Sequence, residues 1–268
     1  MGVWALSIAC RAPLINESRA ELALGLSSGG DALPEGRLRS GVWLGAGVSG
    51  GRVTLSAPQA SVQARVDLMP ALLLGADLWT SEEYGLIVRG SFGLSAQLSL
   101  PPEYAGQELS FRQSHLLVGA LRRWHLSERP DALTISAGLG LRAQREDTPP
   151  QRPTYLVTRT ALGPAALLAL MVPLSESLWL NARGSASTHL LVREEPADSG
   201  LLSSSLAWEA ALELCLRLSP TLALAIDAEW RRDDVSFKGF GTRALGVYEA
   251  EASQYFWTTG AALRVALR

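Results

Sequence analysis

Apolar and polar residues alternate with a period of two along most of this chain, most clearly near its C-terminus. In residues 206–218 every even position is apolar, and the charged Glu209 and Glu213 lie between apolar neighbours. The same alternation fills residues 221–231 and 255–268. A β-strand points successive side chains to opposite faces, so each segment predicts a strand with one apolar face.

Seven further segments precede these three and raise the predicted number of strands to about ten, within a range of roughly 8–12. They are residues 38–55, 62–79, 85–100, 109–126, 133–144, 154–172 and 178–192. The alternation changes phase at Gly50 and Gly51, which predicts a β-bulge. The segment 154–172 is the weakest, because Pro164 lies inside it and both of its faces are apolar.

The connections between the predicted strands alternate between short and long. The short ones are residues 80–84, 127–131, 173–177 and 218–220, and the long ones are 101–107, 146–153, 194–200 and 232–251, with 57–60 as a short exception. Short periplasmic turns and longer external loops are the rule in outer-membrane barrels. With the last strand ending in the periplasm, both chain termini are expected there.

Aromatic residues gather near the predicted strand ends, as they do at the two interfaces of a membrane. Under the same topology Trp208, Trp230, Tyr255 and Trp257 belong to the external rim, and Trp43, Trp79, Tyr84, Trp124 and Trp179 belong to the periplasmic rim. Trp79 and Trp179 share the phase of the inward face, so the predicted girdle is imperfect.

Over residues 38–268 the chain resembles the bacterial outer-membrane β-barrel class. Its C-terminal Thr258, Gly260, Leu263 and Val265 look like the assembly signal of that class, although the chain ends in Arg268 instead of the usual Phe. The resemblance implies a closed antiparallel transmembrane β-barrel in the bacterial outer membrane. It also implies two partners, the lipid bilayer and the outer-membrane assembly machinery.

Composition narrows the function further. The net charge of −2 favours no nucleic-acid partner, and the two cysteines, Cys10 and Cys215, match no zinc or redox spacing, so we expect no cofactor. The sequence contains no run of about 18 uninterrupted apolar residues, so it predicts no membrane-spanning helix. We expect residues 1–37 to be a lead-in, either the remnant of a signal sequence or a periplasmic segment, with a faint similarity to a lipoprotein box at Cys10.

Charged residues of both signs occupy the polar face of the clear strands and predict a charge-paired lumen. They are Arg65, Asp67, Asp77, Arg89, Arg142, Arg183, Glu209, Glu213, Arg217, Asp227, Glu229, Arg231 and Arg264. About ten strands enclose an interior close to the width that side chains alone can fill. Because an isolated buried charge is costly, we expect contacts between arginines and carboxylates across this lumen.

The sequence leaves four interpretations of function open. The first is a largely occluded envelope component that is structural or binds a partner through outer loops, including 232–251. The second is a small gated or weakly selective pore lined by the same charges. The third is a lipid hydrolase or acyltransferase, because Ser187 and His189 share one strand face with Asn181 and Ser185. The fourth is a soluble β protein.

Overall fold

The chain folds into eleven β-strand segments, in a computed structural model that describes residues 40–267 except 105–107, 128–131, 151–153 and 244–247. The segments are β1 (Gly41–Ala57), β2 (Ala60–Trp79), β3 (Tyr84–Ser99), β4 (Glu108–His125), β5 (Thr134–Asp147), β6 (Thr158–Pro173), β7 (Leu178–Ser187), β8 (Leu191–Glu195), β9 (Leu201–Arg217), β10 (Leu222–Lys238) and β11 (Glu251–Ala266). One 3-10 turn spans Pro102–Tyr104. No helix within these described ranges has the length and apolarity to cross a membrane. The predicted lead-in, residues 1–37, lies outside them.

Backbone pairing closes these segments into a ring. β7 and β8 both pair with β6, at residues 165–173 and 158–162 of that strand, so they are two halves of one interrupted strand. When β7 and β8 are counted as one strand, every strand pairs antiparallel with its neighbours in sequence, and β1 pairs with β11. The fold is therefore a closed antiparallel barrel of ten strands, as the alternation predicts.

The two ends of the barrel differ in the length of their connections. One end, which we call the short-turn end, carries residues 80–83, 126–133, 174–177 and 218–221; the long-loop end carries 58–59, 100–107, 148–157, 196–200 and 239–250. Leu267 donates a backbone hydrogen bond of 2.8 Å to Ser40, so the two ends of the described chain lie side by side at the short-turn end. That this end faces the periplasm stays a prediction.

The inward face of β2 changes phase and composition midway along the strand. Towards the long-loop end Val62 and Val66 face the interior, and towards the short-turn end Met69 and Asp77 do so. The inward positions change from even to odd, so the strand shifts phase near Leu68. Arg65, Asp67 and Asp77, which are predicted to share one inward face, are therefore divided between the two faces, and the prediction is wrong in the first half of the strand.

A bulge in β2 itself marks this change, and a second bulge lies in the neighbouring β3. The pairing of β1 with β2 shifts register between Ser49 and Gly51, and the pairing of β3 with β4 shifts between Gly93 and Ala96. One extra residue turns every later side chain to the opposite face. The register shift predicted at Gly50 and Gly51 is found, but the extra residue lies on β2, where Asp67 and Leu68 are both opposite Gly50. The prediction that β1 itself changes phase there is wrong, because β1 pairs with β11 without a shift.

The long-loop half of the barrel consequently has a largely apolar interior on this side. Its buried apolar residues are Leu55, Val62, Ala64, Val66, Met69, Ala96, Leu98, Leu100, Leu109, Phe111, Leu156, Val235, Phe237, Ala250, Ala252 and Phe256. The rings of Phe111 and Phe256 stack with centroids 5.8 Å apart. Gln63 and Arg65 are exposed on the outer surface. On this side, around β2, the long-loop half therefore has apolar residues inside and polar residues outside.

We expect Phe111→Ala to lower the free energy of unfolding by about 3–5 kcal/mol, because truncating a buried ring leaves a cavity. Phe111 is only 1% exposed. Urea unfolding of the protein in detergent micelles, followed by tryptophan fluorescence, measures the change. Phe240→Ala is the control: Phe240 is 78% exposed, and its truncation should cost less than about 0.5 kcal/mol. Equal costs for the two variants would contradict the apolar interior.

The short-turn half is arranged the other way round, with apolar residues outside. Its exposed large apolar residues form an apolar belt: Val42, Leu44, Val48, Leu68, Leu72, Leu78, Leu86, Leu94, Leu116, Val118, Leu139, Leu141, Leu162, Leu168, Leu212, Leu214, Leu216, Ile226, Leu263 and Val265. Proteins that stay in water rarely expose apolar patches larger than a few hundred Å². A belt around a closed barrel is the surface that contacts lipid.

Strand β6, the weakest prediction from the sequence, is regular. It runs over Thr158–Pro173 and pairs with β5 along most of its length. The break between β7 and β8 lies opposite Gly163, where a Cβ atom would be 1.8 Å from the carbonyl oxygen of Thr188. Glycine is therefore needed at this position for the two backbones to approach so closely.

Candidate functional site

The interior of the short-turn half holds a continuous network of ion pairs, which we call the lower network. Its members are Asp77, Arg89, Arg183, Glu213, Asp227 and Arg264, on β2, β3, β7, β9, β10 and β11. Each occupies the strand face opposite to the apolar belt. The alternation that builds the belt therefore also places these charges in the lumen.

Asp77 and Glu213 are joined through arginines from two other strands. Arg89 Nη2 lies 3.2 Å from Asp77 Oδ1, and Arg264 Nη2 contacts Asp77 Oδ2. Arg264 Nη1 lies 3.5 Å from Glu213 Oε1. Contacts between charged groups of opposite sign offset the cost of removing them from water.

Arg183 extends the lower network to β10. Its guanidinium donates hydrogen bonds of 2.8 Å to Glu213 and 2.7 Å to Asp227. Asn181 Nδ2 donates to Glu213 Oε1 at 2.7 Å, and the thiol of Cys215 donates to the same oxygen at 3.1 Å. Both oxygens of Glu213 therefore accept hydrogen bonds, so this buried carboxylate is the centre of the lower network.

Three tryptophans face the interior between the lower network and the short-turn end, namely Trp43, Trp79 and Trp179. The guanidinium of Arg89 lies 5.9 Å from the centroid of the Trp43 ring, and that of Arg123 lies 3.7 Å from the Trp79 ring. Both distances are within the range of cation–π attraction. The inward phase noted for Trp79 and Trp179 is confirmed, but the prediction that these three tryptophans belong to the interface girdle is wrong, because they fill this end of the lumen.

The other predicted interface aromatics face outward. They are Tyr84, Trp124, Trp208, Trp230, Tyr255 and Trp257. Trp230 is paired with Trp257 and lies in the middle of β10, not at its long-loop end. Because interface aromatics mark the edge of the bilayer, the strands continue beyond it towards the long loops. The external rim predicted at the strand ends is thus a patch on the adjacent strands β9, β10 and β11, about halfway along them.

A second polar cluster, the upper network, lies nearer the long-loop end. Its members are Gln144, Glu146, Arg159, His189, Asp233 and Gln254. Arg159 Nη2 lies 2.5 Å from Asp233 Oδ2, and His189 Nε2 lies 2.8 Å from Asp233 Oδ1. Gln254 on β11 donates to Glu146 on β5. β11 and β5 lie on opposite walls of the ring, so the upper network crosses the lumen.

Five residues between these networks form a middle group: His115, Arg142, Glu209, Glu229 and Arg231. His115 Nε2 lies 3.5 Å from Glu209 Oε2, and Arg231 Nε lies 2.8 Å from Glu229 Oε1. Arg142 is 1% exposed. Polar side chains therefore follow one another along the lumen from the lower network to the upper one.

Ten of the thirteen charged residues predicted for the lumen lie inside it. They are Asp77, Arg89, Arg142, Arg183, Glu209, Glu213, Asp227, Glu229, Arg231 and Arg264. Arg217 is half-buried at the end of β9. The prediction is wrong for Arg65 and Asp67, whose side chains are 84% and 54% exposed and 3.8 Å apart on the outer surface. Both precede the phase shift near Leu68, which turns them outward.

Sequence reasoning missed most of the upper network. Asp233 falls in the predicted loop 232–251, but it continues the inward odd phase of Arg231 along β10. Glu146 similarly continues the inward even phase of Arg142 along β5. Extending each alternating segment until its phase failed would have found both carboxylates.

The connection between β10 and β11 is shorter than the predicted loop 232–251 and is held by specific contacts. Arg243 Nη2 donates to Glu194 at 2.7 Å, and the backbone N–H of Thr242 donates to the carbonyl of Asp198 at 2.8 Å. Burial lowers the pKa of the Arg243 guanidinium, and the adjacent Glu194 carboxylate opposes this shift. These contacts fix the loop against the segment that follows β8.

The serines and histidine of the hydrolase interpretation are close together but not joined. His189 Nε2 contacts Asp233, and within the described part of the chain neither Ser185 Oγ nor Ser187 Oγ makes a hydrogen bond. A nucleophilic serine needs its base within hydrogen-bond reach. The geometry therefore gives this interpretation no support.

Side chains fill much of the described interior. One cavity of about 20 Å³ lies beside Arg89 and His115, and another of about 20 Å³ lies beside Glu146 and Phe111. A cavity of that size has room for about one water molecule. The packing agrees with the narrow interior expected of a ten-stranded barrel.

The belt and the closed ring together define the class of protein. An even number of antiparallel strands, short turns at one end, longer loops at the other and an outward apolar belt edged by aromatic residues are the features of single-chain barrels of the bacterial outer membrane. The chain is an outer-membrane β-barrel, and its location is that membrane.

Comparison with known proteins yields only distant likenesses. No protein-family model and no curated protein matches the chain. Among solved structures, the outer membrane protein OprG from Pseudomonas aeruginosa is 12% identical, with 88% of this chain and 100% of that chain covered and a TM-score of 0.43. The transport unit of the autotransporter AIDA-I from Escherichia coli is 11% identical, with 92% and 94% covered and a TM-score of 0.41. The class assignment therefore depends on the chain's own strands and surface.

Proposed function

We propose that this barrel is a structural component of the outer membrane with a closed lumen, whose long-loop half binds a partner in the envelope. The observation that carries the proposal is the interior of paired charges, in which the lower network joins six strands. An ion crossing the lumen would have to separate buried charge pairs, which is costly.

The surface of the long-loop half supports the partner-binding part of this proposal. Phe240 is 78% exposed, and its ring lies 4.7 Å from that of Tyr248. The buried Arg243, which pairs with Glu194, anchors the same loop. An exposed phenylalanine ring against a half-buried tyrosine on an anchored loop suits protein recognition, because aromatic residues are enriched in interfaces and little ordering is needed on binding.

A second function, a gated pore, is favoured by one feature. Polar side chains run continuously from the lower network through the middle group to the upper network. Rearrangement of the ion pairs along this path would open a charged passage. Weak ion selectivity would then depend on the arginines of the lower network.

Conductance in planar lipid bilayers separates the two functions. For the closed barrel we expect no stepwise current from wild-type protein whose folding is verified by its heat-modifiable mobility on unboiled gels. Arg89→Gln and Arg183→Gln serve as comparison variants. Current steps in the wild type, with an ion selectivity that changes in either variant, would contradict the closed barrel and establish the pore.

A further inference from the structure

Three side chains of the middle group converge at one point in the lumen. His115 projects from β4, Glu209 from β9 and Glu229 from β10, and one ligand atom of each lies within 4.8 Å of the other two. We propose that these three residues bind a divalent transition-metal cation, for which Zn²⁺ is the best fit. This inference holds whether the lumen is closed or gated.

The polar atoms at this point lack hydrogen-bonding partners. His115 is 3% exposed and Glu209 is 6% exposed. Among the described residues His115 Nε2, Glu209 Oε2 and Glu229 Oε1 make no hydrogen bond, although Glu229 Oε1 pairs with Arg231. A buried polar atom left in this state is costly and calls for a bound water or ion. A cation between His115 and Glu209 would satisfy both.

The donor set and one of its three spacings suit zinc. One imidazole nitrogen and two carboxylate oxygens resemble the three-ligand sites that leave a fourth position for water. Bonds of about 2.0–2.2 Å in tetrahedral geometry place the ligand atoms about 3.4 Å apart. His115 Nε2 and Glu209 Oε2 are already 3.5 Å apart. The cavity of about 20 Å³ lined by His115, Glu209 and Glu229 has room for the fourth ligand.

Two arginines compete with the cation and set the expected affinity. Arg231 Nε holds Glu229 Oε1 at 2.8 Å, but its Nη2 also donates to Gln113 Oε1 at 3.4 Å. Arg231 therefore keeps an acceptor when Glu229 turns to the cation. The charges of Arg142 and Arg231 balance the two carboxylates, so we expect weaker binding than at a structural zinc site of thiolates.

The position of the ligands gives the site a mechanical role. In the ring of ten strands, β4 and β10 are separated by five steps in either direction, so His115 and Glu229 lie on opposite walls. A bound cation joins these walls across the lumen. Because a ligand that binds only the folded state stabilises it, Zn²⁺ should raise the melting temperature of the barrel.

Metal content and affinity test this site. Untagged protein is refolded in detergent with Zn²⁺, desalted and analysed by atomic absorption, and Co²⁺ is titrated into EDTA-treated protein by visible absorption. We expect one bound Zn²⁺ per wild-type chain. We expect His115→Ala and Glu209→Gln each to weaken Co²⁺ binding by more than about 100-fold. Removing a residue that only hydrogen-bonds to a metal ligand already costs about 10–100-fold in affinity, and removing the ligand itself should cost more.

His125→Ala is the matched control, because it removes a histidine from the same strand outside the cluster and should leave binding unchanged. Glu209→Gln preserves side-chain size, and its folding is verified by heat-modifiable mobility. The melting temperature of the wild type, with Zn²⁺ and with Mg²⁺, tests the site without substitution. Three results would each overturn the proposal: no Zn²⁺ in the wild type, Co²⁺ binding by both ligand variants as tight as that of the wild type, or no rise in melting temperature specific to Zn²⁺.

Discussion

Arg183→Ala is expected to lower the free energy of unfolding by about 3–5 kcal/mol, which is the usual cost of removing one partner from a buried ion pair. Arg183 contacts Glu213 at 2.8 Å and Asp227 at 2.7 Å. Without it, and among the residues that the structure describes, Asp227 loses its arginine and Glu213 keeps a single cationic contact, Arg264 at 3.5 Å. Both carboxylates would then need water or protons in a lumen with little room for either.

Urea unfolding in detergent micelles measures this loss, and Arg65→Ala provides the comparison. Arg65 also pairs with a carboxylate, that of Asp67, but the two side chains are 84% and 54% exposed. Exposed pairs contribute about 0–1 kcal/mol, so this control should unfold almost as the wild type does. A loss from Arg183→Ala no larger than that from Arg65→Ala would show that the lower network does not stabilise the barrel.

Leu139→Arg should cost about 2–4 kcal/mol when the protein is folded into lipid bilayers, which is the cost of arginine near the middle of the membrane. Leu139 is 73% exposed on the outer face of β5. Its outward neighbours include Leu141 on the same strand and Leu168 on β6, so it lies within the apolar belt. An arginine there would have to pull water or headgroups into the bilayer.

Ser56→Arg is the matched substitution in the long-loop half. Ser56 is exposed and is paired with Glu251 across the sheet, so an arginine there should change stability by less than about 0.5 kcal/mol. Equilibrium unfolding in vesicles compares the two variants. If Leu139→Arg were as stable as Ser56→Arg, or if the chain folded in buffer without lipid or detergent, the belt would not contact a membrane.

The sequence by itself determined that the chain forms a barrel, and it determined which residues of the membrane half face the lumen and which face outward. Alternation with a period of two is a local property, because each residue's face depends only on its position along its own strand. Glu213 on β9 and Asp227 on β10 could therefore be assigned to the lumen without knowing their neighbours. The turn lengths likewise distinguished the two ends of the barrel.

Only the tertiary structure decided where that alternation reverses and which charges meet. The phase shift near Leu68 turns Arg65 outward, and it becomes visible only when β2 is paired with β1, because the pairing shows the extra residue that β2 carries. Contacts such as Arg264 with Asp77, and the approach of His115 to Glu229, join strands far apart in sequence. These contacts depend on the register of ten strands around a closed ring. Register is a property of the whole ring, and the sequence of a single strand does not determine it.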